Sequence, residues 1–355
     1  MTTQKSIIKA IGVSTPRFTL SQEECDTLMA EYFKEELSAR SREVLHQVLQ
    51  HKSVRSRHMA VSNFDELLAV KNEDPDRRVA RFTEWAIRLS AEALERALAK
   101  AGRKVDSVTA LIVNTCTGYI CPGIATYLIE KMGMHRTIPV YDLVGSGCGG
   151  AIPNIQLADR IVRSDPAAIV ACVSVEISTA TFEMDNDIGL LVSNAIFGDG
   201  AAAALIGSGE NGLSLEATAS SFHPESRESV RFVHRRGRLC NQLDAQLPKV
   251  IRGTVPPFIR SLLSQKGLTP EQVRHWALHP GGDRIIGAIQ EELHLTEEDL
   301  VHTRDILARY GNMSSPTVLF VLESLMNRGL EKDAWCMMVA YGAGMSIHGY
   351  LLRNS

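Results

Sequence analysis

Val144-Gly145-Ser146-Gly147-Cys148-Gly149-Gly150 decides the reading of this chain: a glycine-packed turn sets one thiol between a strand-like run and the helical stretch Ala151 to Arg163. Four glycines in these seven residues leave almost no side chain near Cys148, so the backbone can bend sharply and a substrate can reach the sulfur closely. A helix N-terminus follows at once, and its unpaired N–H groups and positive dipole end favour a thiolate. A buried structural cysteine beside a tight turn is the plainer reading, and both stay open on this stretch alone.

Working outward, a strand is expected around Ile7 to Val13. Ser21-Gln22-Glu23-Glu24 has capping-box form and opens a helix through Leu37, followed by a second helix from Arg42 to Gln50. Val79, Phe82, Ile87, Leu94 and Leu98 recur at helical spacing from Asp76 to Ala101, and Gly102 ends that helix. Val108 to Asn114 then reads as a strand buried on both faces. The second half echoes this design. Gly267 caps a helix ending at Lys266, and Val273 to His279 reads as a strand at the same interval, which sets Asn114 opposite His279. The turn at Cys148, its helix and the strand Ala168 to Val173 likewise match the turn at Asn312, the helix Pro316 to Arg328 and the strand Trp335 to Val339. A duplicated α/β fold with a pseudo-twofold axis is expected. The turn-rich tract Gly207 to Gly212 marks the joint, giving halves 1–210 and 211–355.

The totals narrow the function. With 355 residues and 45% apolar content, the chain can bury a large core. A formal charge of −3 offers no field for nucleic acid or an anionic membrane, so small molecules or another protein chain are the expected partners. Seven scattered cysteines without a CxxC argue for a reducing compartment. The start, Met1-Thr2-Thr3-Gln4-Lys5-Ser6, lacks a signal-peptide core, and no apolar run is long enough to span a membrane. A cytoplasmic protein is expected.

An activated cysteine needs a base and oxyanion donors. His279 ends its strand against Pro280-Gly281-Gly282, a break that projects the ring into open space, and Asn312 occupies another bend before a helix. Each has a plain alternative, a structural histidine and a helix cap. What separates them from those alternatives is that all three residues sit at equivalent places in matched halves. His275 and His279 also stand four apart, but on a strand, with no following Glu and no Cys or carboxylate ligand nearby, so no metal is expected. His51-Lys52-Ser53-Val54-Arg55-Ser56-Arg57-His58 gathers basic groups that could hold phosphates, or form a solvated patch.

The motifs Gly147-Cys148-Gly149-Gly150, Phe197-Gly198-Asp199-Gly200-Ala201-Ala202, His279-Pro280-Gly281-Gly282 and Tyr310-Gly311-Asn312-Met313-Ser314-Ser315 resemble those of type III polyketide synthases of bacterial type, the chalcone-synthase-like branch of the thiolase superfamily. The resemblance runs from about Lys5 to Leu352. It implies a thiolase-like fold, layered αβαβα from two duplicated halves. It implies Cys148 as acyl-carrying nucleophile with His279 and Asn312 as partners, Phe197 as an aromatic gate, and Lys52 on the coenzyme A phosphates, with Arg55 and Arg57 as looser candidates. Acyl-CoA starter and malonyl-CoA would be the substrates, with no cofactor beyond these thioesters, and the protein would be a homodimer whose Ile120-Cys121-Pro122-Gly123 loop reaches the neighbouring cavity.

Departures from the plant members concern the pocket. Cys116, Cys121, Ser178, Thr181, Ser193, Val230, Phe232 and Ser314 fall at or near family pocket positions. Phe232 stands where plant enzymes keep a glycine, a second gating phenylalanine is missing around Cys240-Asn241, and Met345 replaces a proline. Small cysteines on the turns at Cys116 and Cys121 would open a tunnel for an alkyl chain, pointing to a fatty acyl starter and an alkylpyrone or alkylresorcinol product. A β-ketoacyl-carrier-protein synthase of the third type is the nearest rival, though its histidine usually lies in a glutamine-containing motif. The order Cys, His, Asn also occurs in papain-like peptidases, whose local signature is absent here. A silent thiolase-fold scaffold is the remaining alternative.

Overall fold

The computed structural model describes residues 5–210 and 212–354. Met1 to Gln4, on which the reading of the chain's start rests, Asn211 in the joint, and Ser355 lie outside the described residues. The first half lays down β1 (Ser6–Ser14), the short pair β2 (Thr19–Ser21) and β3 (Ser56–His58), then β4 (Ala110–Asn114), β5 (Val140–Leu143), β6 (Ile169–Glu176) and β7 (Gly200–Ser208). The second half supplies β8 (Leu213–Phe222), the hairpin β9 (Val230–Arg235) and β10 (Arg238–Leu243), β11 (His275–Leu278), β12 (Trp335–Gly342) and β13 (Ser346–Asn354). Between them run α1 (Gln22–Tyr32), α2 (Ala39–Leu49), α3 (Phe64–Ala69), α4 (Pro75–Lys100), α5 (Ile124–Met132), α6 (Ala151–Ser164) and α7 (Ile188–Ile196). The later helices are α8 (Leu247–Ser264), α9 (Asp283–Leu293), α10 (Val301–Tyr310) and α11 (Thr317–Arg328).

Strand order shows the duplication. The ladder runs β11-β12-β13-β8-β1-β7-β6-β4-β5, so β1-β7-β6-β4 of one half is matched by β8-β13-β12-β11 of the other. Pair senses match as well: the first two steps of each half are antiparallel and the last parallel. β1 and β8 touch over only Ile7↔Ser214 and Ile8↔Leu213, and the ladder turns there.

Side chains alternate along each strand between two helix layers, as the two-residue period of a strand requires. Ile112, Val170, Cys172, Met338 and Ala340 point to a central cluster with α6 and α11. Leu111, Val113, Ala171 and Val173 point the other way, onto α4 and α5. Met337, Val339 and Leu351 meet α8 and α9. The result is helix, sheet, helix, sheet, helix, with the matched pair α6 and α11 buried in the middle. That is the expected αβαβα layering.

Several local expectations shift. Ser21 caps α1 with both capping-box bonds, but the helix stops at Tyr32; Phe33 and Leu37 turn inward to the core beneath it. Val79 is 48% exposed, so it does not belong to the apolar stripe of α4. The segment Val105–Ser107 is a 3-10 turn, and β4 starts only at Ala110. β11 ends at Leu278, leaving His279 just beyond the ladder. Gly102 and Gly267 close α4 and α8 at φ of +60° and +67°, a left-handed step that favours glycine.

Close packing gives a direct check. A Cβ on Gly12 would lie 2.2 Å from the Ala93 carbonyl oxygen and 2.4 Å from the Ala97 nitrogen of α4, so Gly12→Ala is expected to cost about 1–3 kcal/mol. Gly253→Ala in α8, where nothing lies within 4 Å, is expected to gain about 0.5–1 kcal/mol. Urea unfolding midpoints measure both, and an unchanged midpoint for Gly12→Ala would contradict the β1–α4 contact.

Candidate active site

Each member of the expected trio stands at the end of an element beside the central layer. Cys148 sits on a 3-10 turn, Gly147–Gly149, that leads into α6. The turn is packed closely against the backbone of β12. A Cβ on Gly342 would meet the Ser146 carbonyl oxygen at 2.4 Å, the Gly149 nitrogen at 2.6 Å and the Cys148 nitrogen at 2.7 Å. Gly147, at φ +53°, faces the Ala343 nitrogen from the other side.

His279 follows β11 and keeps its register through its N–H on the Val339 carbonyl, 2.9 Å. Its own carbonyl accepts from the Tyr341 hydroxyl at 2.7 Å, and that ring stands edge-on to the imidazole at 5.4 Å. The imidazole is buried and its Nδ1 has no partner, which leaves Nε2 for the chamber. Asn312 bridges to Phe197: its N–H donates to Ile196 at 2.8 Å and its carbonyl accepts from Gly198 at 3.0 Å. The side-chain oxygen accepts from the Ser314 N–H at 2.8 Å, so the amide is oriented with Nδ2 as the free donor edge, in loose contact with the Gly281 carbonyl at 3.4 Å.

Cys148, His279 and Asn312 together line one chamber of about 2160 Å³, open mouth included. Val192, Phe197, Val230, Leu243 and Met345 form its walls, and His51, Ser53, Asp283 and Arg284 also line it. Phe197 is shared with a second, narrow apolar channel. That channel runs between Leu28 and Met29 of α1, Leu67 and Leu68 of α3, and α7.

The structure sorts the remaining candidates. Ser178, Thr181, Ser193 and Phe232 line the channel, together with Asn241 where a second gate is missing. Val230 lines the main chamber. Cys116 and Ser314 lie behind the nucleophile, their Sγ and Oγ 3.3 Å apart. Cys121 is exposed. The apolar channel thus opens under α1 and α3, away from the turns at Cys116 and Cys121, because Cys116 is tied to Glu176 and Ser314. Lys52 is exposed and lines neither space, Arg55 pairs with Asp305 at 3.6 Å, and Arg57 is buried. His275 and His279 are four strand residues apart, roughly 13 Å, too far to share one metal ion.

Glu176 has no counterpart in the sequence reading. Glu176 is fully buried and accepts from the N–H groups of Cys116 and Thr117 at 2.9 and 3.0 Å and from the Ser315 hydroxyl at 2.6 Å. A single Glu ending the apolar run Ile169 to Val175 was the available signal. Met345 takes φ +39°, a conformation closed to the proline it replaces. Asp199 of the Phe197-Gly198-Asp199 motif ties segments together, accepting from the N–H groups of Ala60 and Thr179, and burial pushes its carboxyl up to about 6.

Burial also governs the reacting groups. It pushes the Cys148 thiol up to about 12, helped by Glu176 and opposed by the Ser314 hydroxyl. It pulls the His279 imidazole down to about 3. Desolvation thus works against the charged form of both groups, opposite to the pull of the helix N-terminus on the thiol.

Family models for the "Chalcone and stilbene synthases" N-terminal and C-terminal domains match residues 1–210 and 214–355. The chain is similar to the "Alpha-pyrone synthesis polyketide synthase-like Pks18" of Mycobacterium tuberculosis, 30% identical over 362 residues, with 98% of this chain and 91% of that protein covered. It is 27% identical to the "3,5-dihydroxyphenylacetyl-CoA synthase" of Streptomyces toyocaensis, covering 86% and 81% of the two chains. Among solved structures, PKS-I of the brown alga Ectocarpus siliculosus superposes with a TM-score of 0.92 at 24% identity, with both chains covered completely. The fold is thiolase-like.

A thiol raised to about 12 beside an imidazole lowered to about 3 reacts through a small thiolate fraction that grows with pH. Alkylation of Cys148 by iodoacetamide is expected to climb about tenfold per pH unit between pH 6 and 9. A rate already level at pH 6 would mean a stored thiolate–imidazolium pair and contradict the dominance of burial.

Proposed function

The chain belongs to the chalcone and stilbene synthase family and is a type III polyketide synthase, a decarboxylative condensing enzyme, and we propose that it extends a fatty acyl-CoA starter with malonyl-CoA to an alkylpyrone or alkylresorcinol. The observation that supports this reading is an apolar channel that shares the Phe197 side chain with the chamber lined by Cys148, His279 and Asn312. The family assignment leaves no ground for the peptidase reading.

Sulfur of Cys148 attacks the starter thioester while Nε2 of His279 takes its proton. The Nε2–H so formed and the Asn312 amide hold the tetrahedral oxyanion, and coenzyme A leaves as its thiolate, so the proton stays on Nε2. Malonyl-CoA then loses carbon dioxide, and the same donors hold the enolate on its thioester oxygen. Asn312 suits this step because an amide donates to negative charge without carrying any. The enolate carbon attacks the acyl-cysteine and lengthens the chain by two carbons, and repetition gives the poly-β-keto chain that cyclises. Phosphates of coenzyme A would lie at the mouth near His51, Ser53 and Arg284, with Lys52 and Arg55 outside it. The alkyl tail would pass Phe197 into the channel between α1 and α3.

A homodimer is the second part of the proposal. β5 lies at the end of the ladder and carries exposed Val140 and Tyr141, with Val144 at 60% exposure next to it and Tyr119 at 75% on the loop after β4. Apolar surface of this kind on a sheet edge asks for a cover. Light scattering is expected to give twice the chain mass, and a monomer at micromolar concentration would contradict it.

Acyl-CoAs of graded length assayed with malonyl-CoA test the substrate. Long alkyl starters are expected to be preferred, and strict preference for an aromatic starter would overturn the reading. Met29→Trp, which fills the channel, is expected to lower turnover of long starters roughly tenfold and spare short ones. In the same assay Cys148→Ala is expected to lose acyl transfer by roughly 10⁴-fold or more while leaving some malonyl decarboxylation. Asn312→Asp is expected to cripple both steps, and undiminished condensation in either variant would defeat the site assignment.

A further inference from the structure

We propose that Arg57 is a positioning residue for the condensation: one buried guanidinium holds the carbonyl end of α7, and through it fixes the Phe197 gate and the Asn312 amide as a single unit. The proposal rests on the reading above, in which that gate and that amide serve chain extension.

Arg57 is 2% exposed and forms no ion pair with a carboxylate among the described residues. A buried cation without a counter-charge is costly, so neutral acceptors must meet it closely. They do. Nη1 donates to the carbonyls of Asn194 and Phe197 at 2.5 and 3.0 Å. Nε donates to the Gln22 side-chain oxygen at 3.0 Å, and Nη2 contacts the Cys25 sulfur at 2.9 Å. The negative end of α7 lies here, where a cation is favoured.

The last carbonyls of α7 are claimed in sequence by different parts of the chain. Asn194 is held by Arg57, Ala195 by the Gln22 amide at 2.9 Å, Ile196 by the Asn312 N–H at 2.8 Å, and Phe197 by Arg57 again. One helix end therefore joins the guanidinium to both functional residues. The arginine stem also forms the floor of the turn before Asn312: a Cβ on Gly311 would lie 2.9 Å from Arg57 Cγ and 2.5 Å from the Ile196 carbonyl oxygen. The Gly311 turn thus has no freedom to move independently of the arginine. Lysine keeps the charge but lacks the planar fork that reaches several acceptors at once.

The test compares Arg57→Ala and Arg57→Lys with wild type in three readouts: starter loading on Cys148 by mass spectrometry, malonyl-CoA decarboxylation, and product formation, with unfolding curves alongside. Arg57 also lines the apolar channel, so loading is read with acetyl-CoA, whose acyl group does not reach the channel, and is expected to stay within about threefold because the Cys148 turn packs against Gly342 and Ala343 and not against α7. Decarboxylation and condensation are expected to fall roughly a hundredfold in Arg57→Ala and less in Arg57→Lys, the size expected for a small displacement of aligned donors. Millimolar guanidinium is expected to restore part of the Arg57→Ala rate and to leave wild type unchanged. Condensation within about threefold of wild type in Arg57→Lys, or equal loss of loading and condensation without guanidinium rescue, would overturn the proposal. Should Arg57→Ala not fold, Arg57→Lys decides alone. Normal wild-type turnover with unaffected variants removes this proposal only, whereas a wild-type chain that makes no ketide product removes the parent reading with it.

Discussion

A backbone contact too tight for any side chain organises this molecule. Gly342, at the end of β12 in the second half, sits so close to the turn at Ser146–Gly149 of the first half that a Cβ would fall within 2.7 Å of three backbone atoms. The contact fixes where the nucleophile stands relative to β12. β12 carries β11 in parallel register at Leu278↔Val339, and His279 follows β11 directly. Cys148 is thus located by close backbone packing against Gly342 and His279 by a backbone hydrogen bond to Val339, which is stiffer than any arrangement built from long side chains alone.

A second set of bonds closes the interface from the polar side. Asn114, the counterpart of His279 in the first half, donates to the Ser315 hydroxyl at 2.9 Å and accepts from Asn154 and Ser174 at 3.0 and 2.6 Å. Ser315 continues to Glu176. One half therefore uses its strand end for chemistry and the other uses the equivalent end to tie the halves together. Buried polar networks of this kind rigidify when their bonds are made, and this one lies directly behind Cys116 and Ser314. The same burial disfavours charge on both thiol and imidazole, and the Asn312 amide is already oriented as a donor.

Much of this was legible from residue pattern. Period-two and helical spacing gave the strands and helices of the core, because alternation between layers writes itself into the sequence, as Leu111-Ile112-Val113 does in β4. Equal intervals to Asn114 and His279 disclosed the duplication. Other features were hidden because they depend on neighbours distant in sequence. Arg57 looks like one more cation in a basic run, yet it is withdrawn beneath α7, while Lys52 of the same run stays outside. The apolar channel is assembled from α1, α3 and α7, so no local motif announces it. The helix N-terminus at Cys148 was seen correctly as an element, but its electrostatic effect is outweighed by desolvation, which sequence spacing does not report.

The central claim is that these bends deliver a sulfur, an imidazole and an amide to one substrate atom, with the sulfur carrying the acyl group. Peptide mapping after brief incubation of the wild-type chain with a long-chain acyl-CoA, in the absence of malonyl-CoA, tests it most directly. One acyl group per chain on the peptide that contains Cys148 is the expected result. Acylation at another cysteine, or product formed with no acyl adduct on Cys148 at any time, would contradict the account.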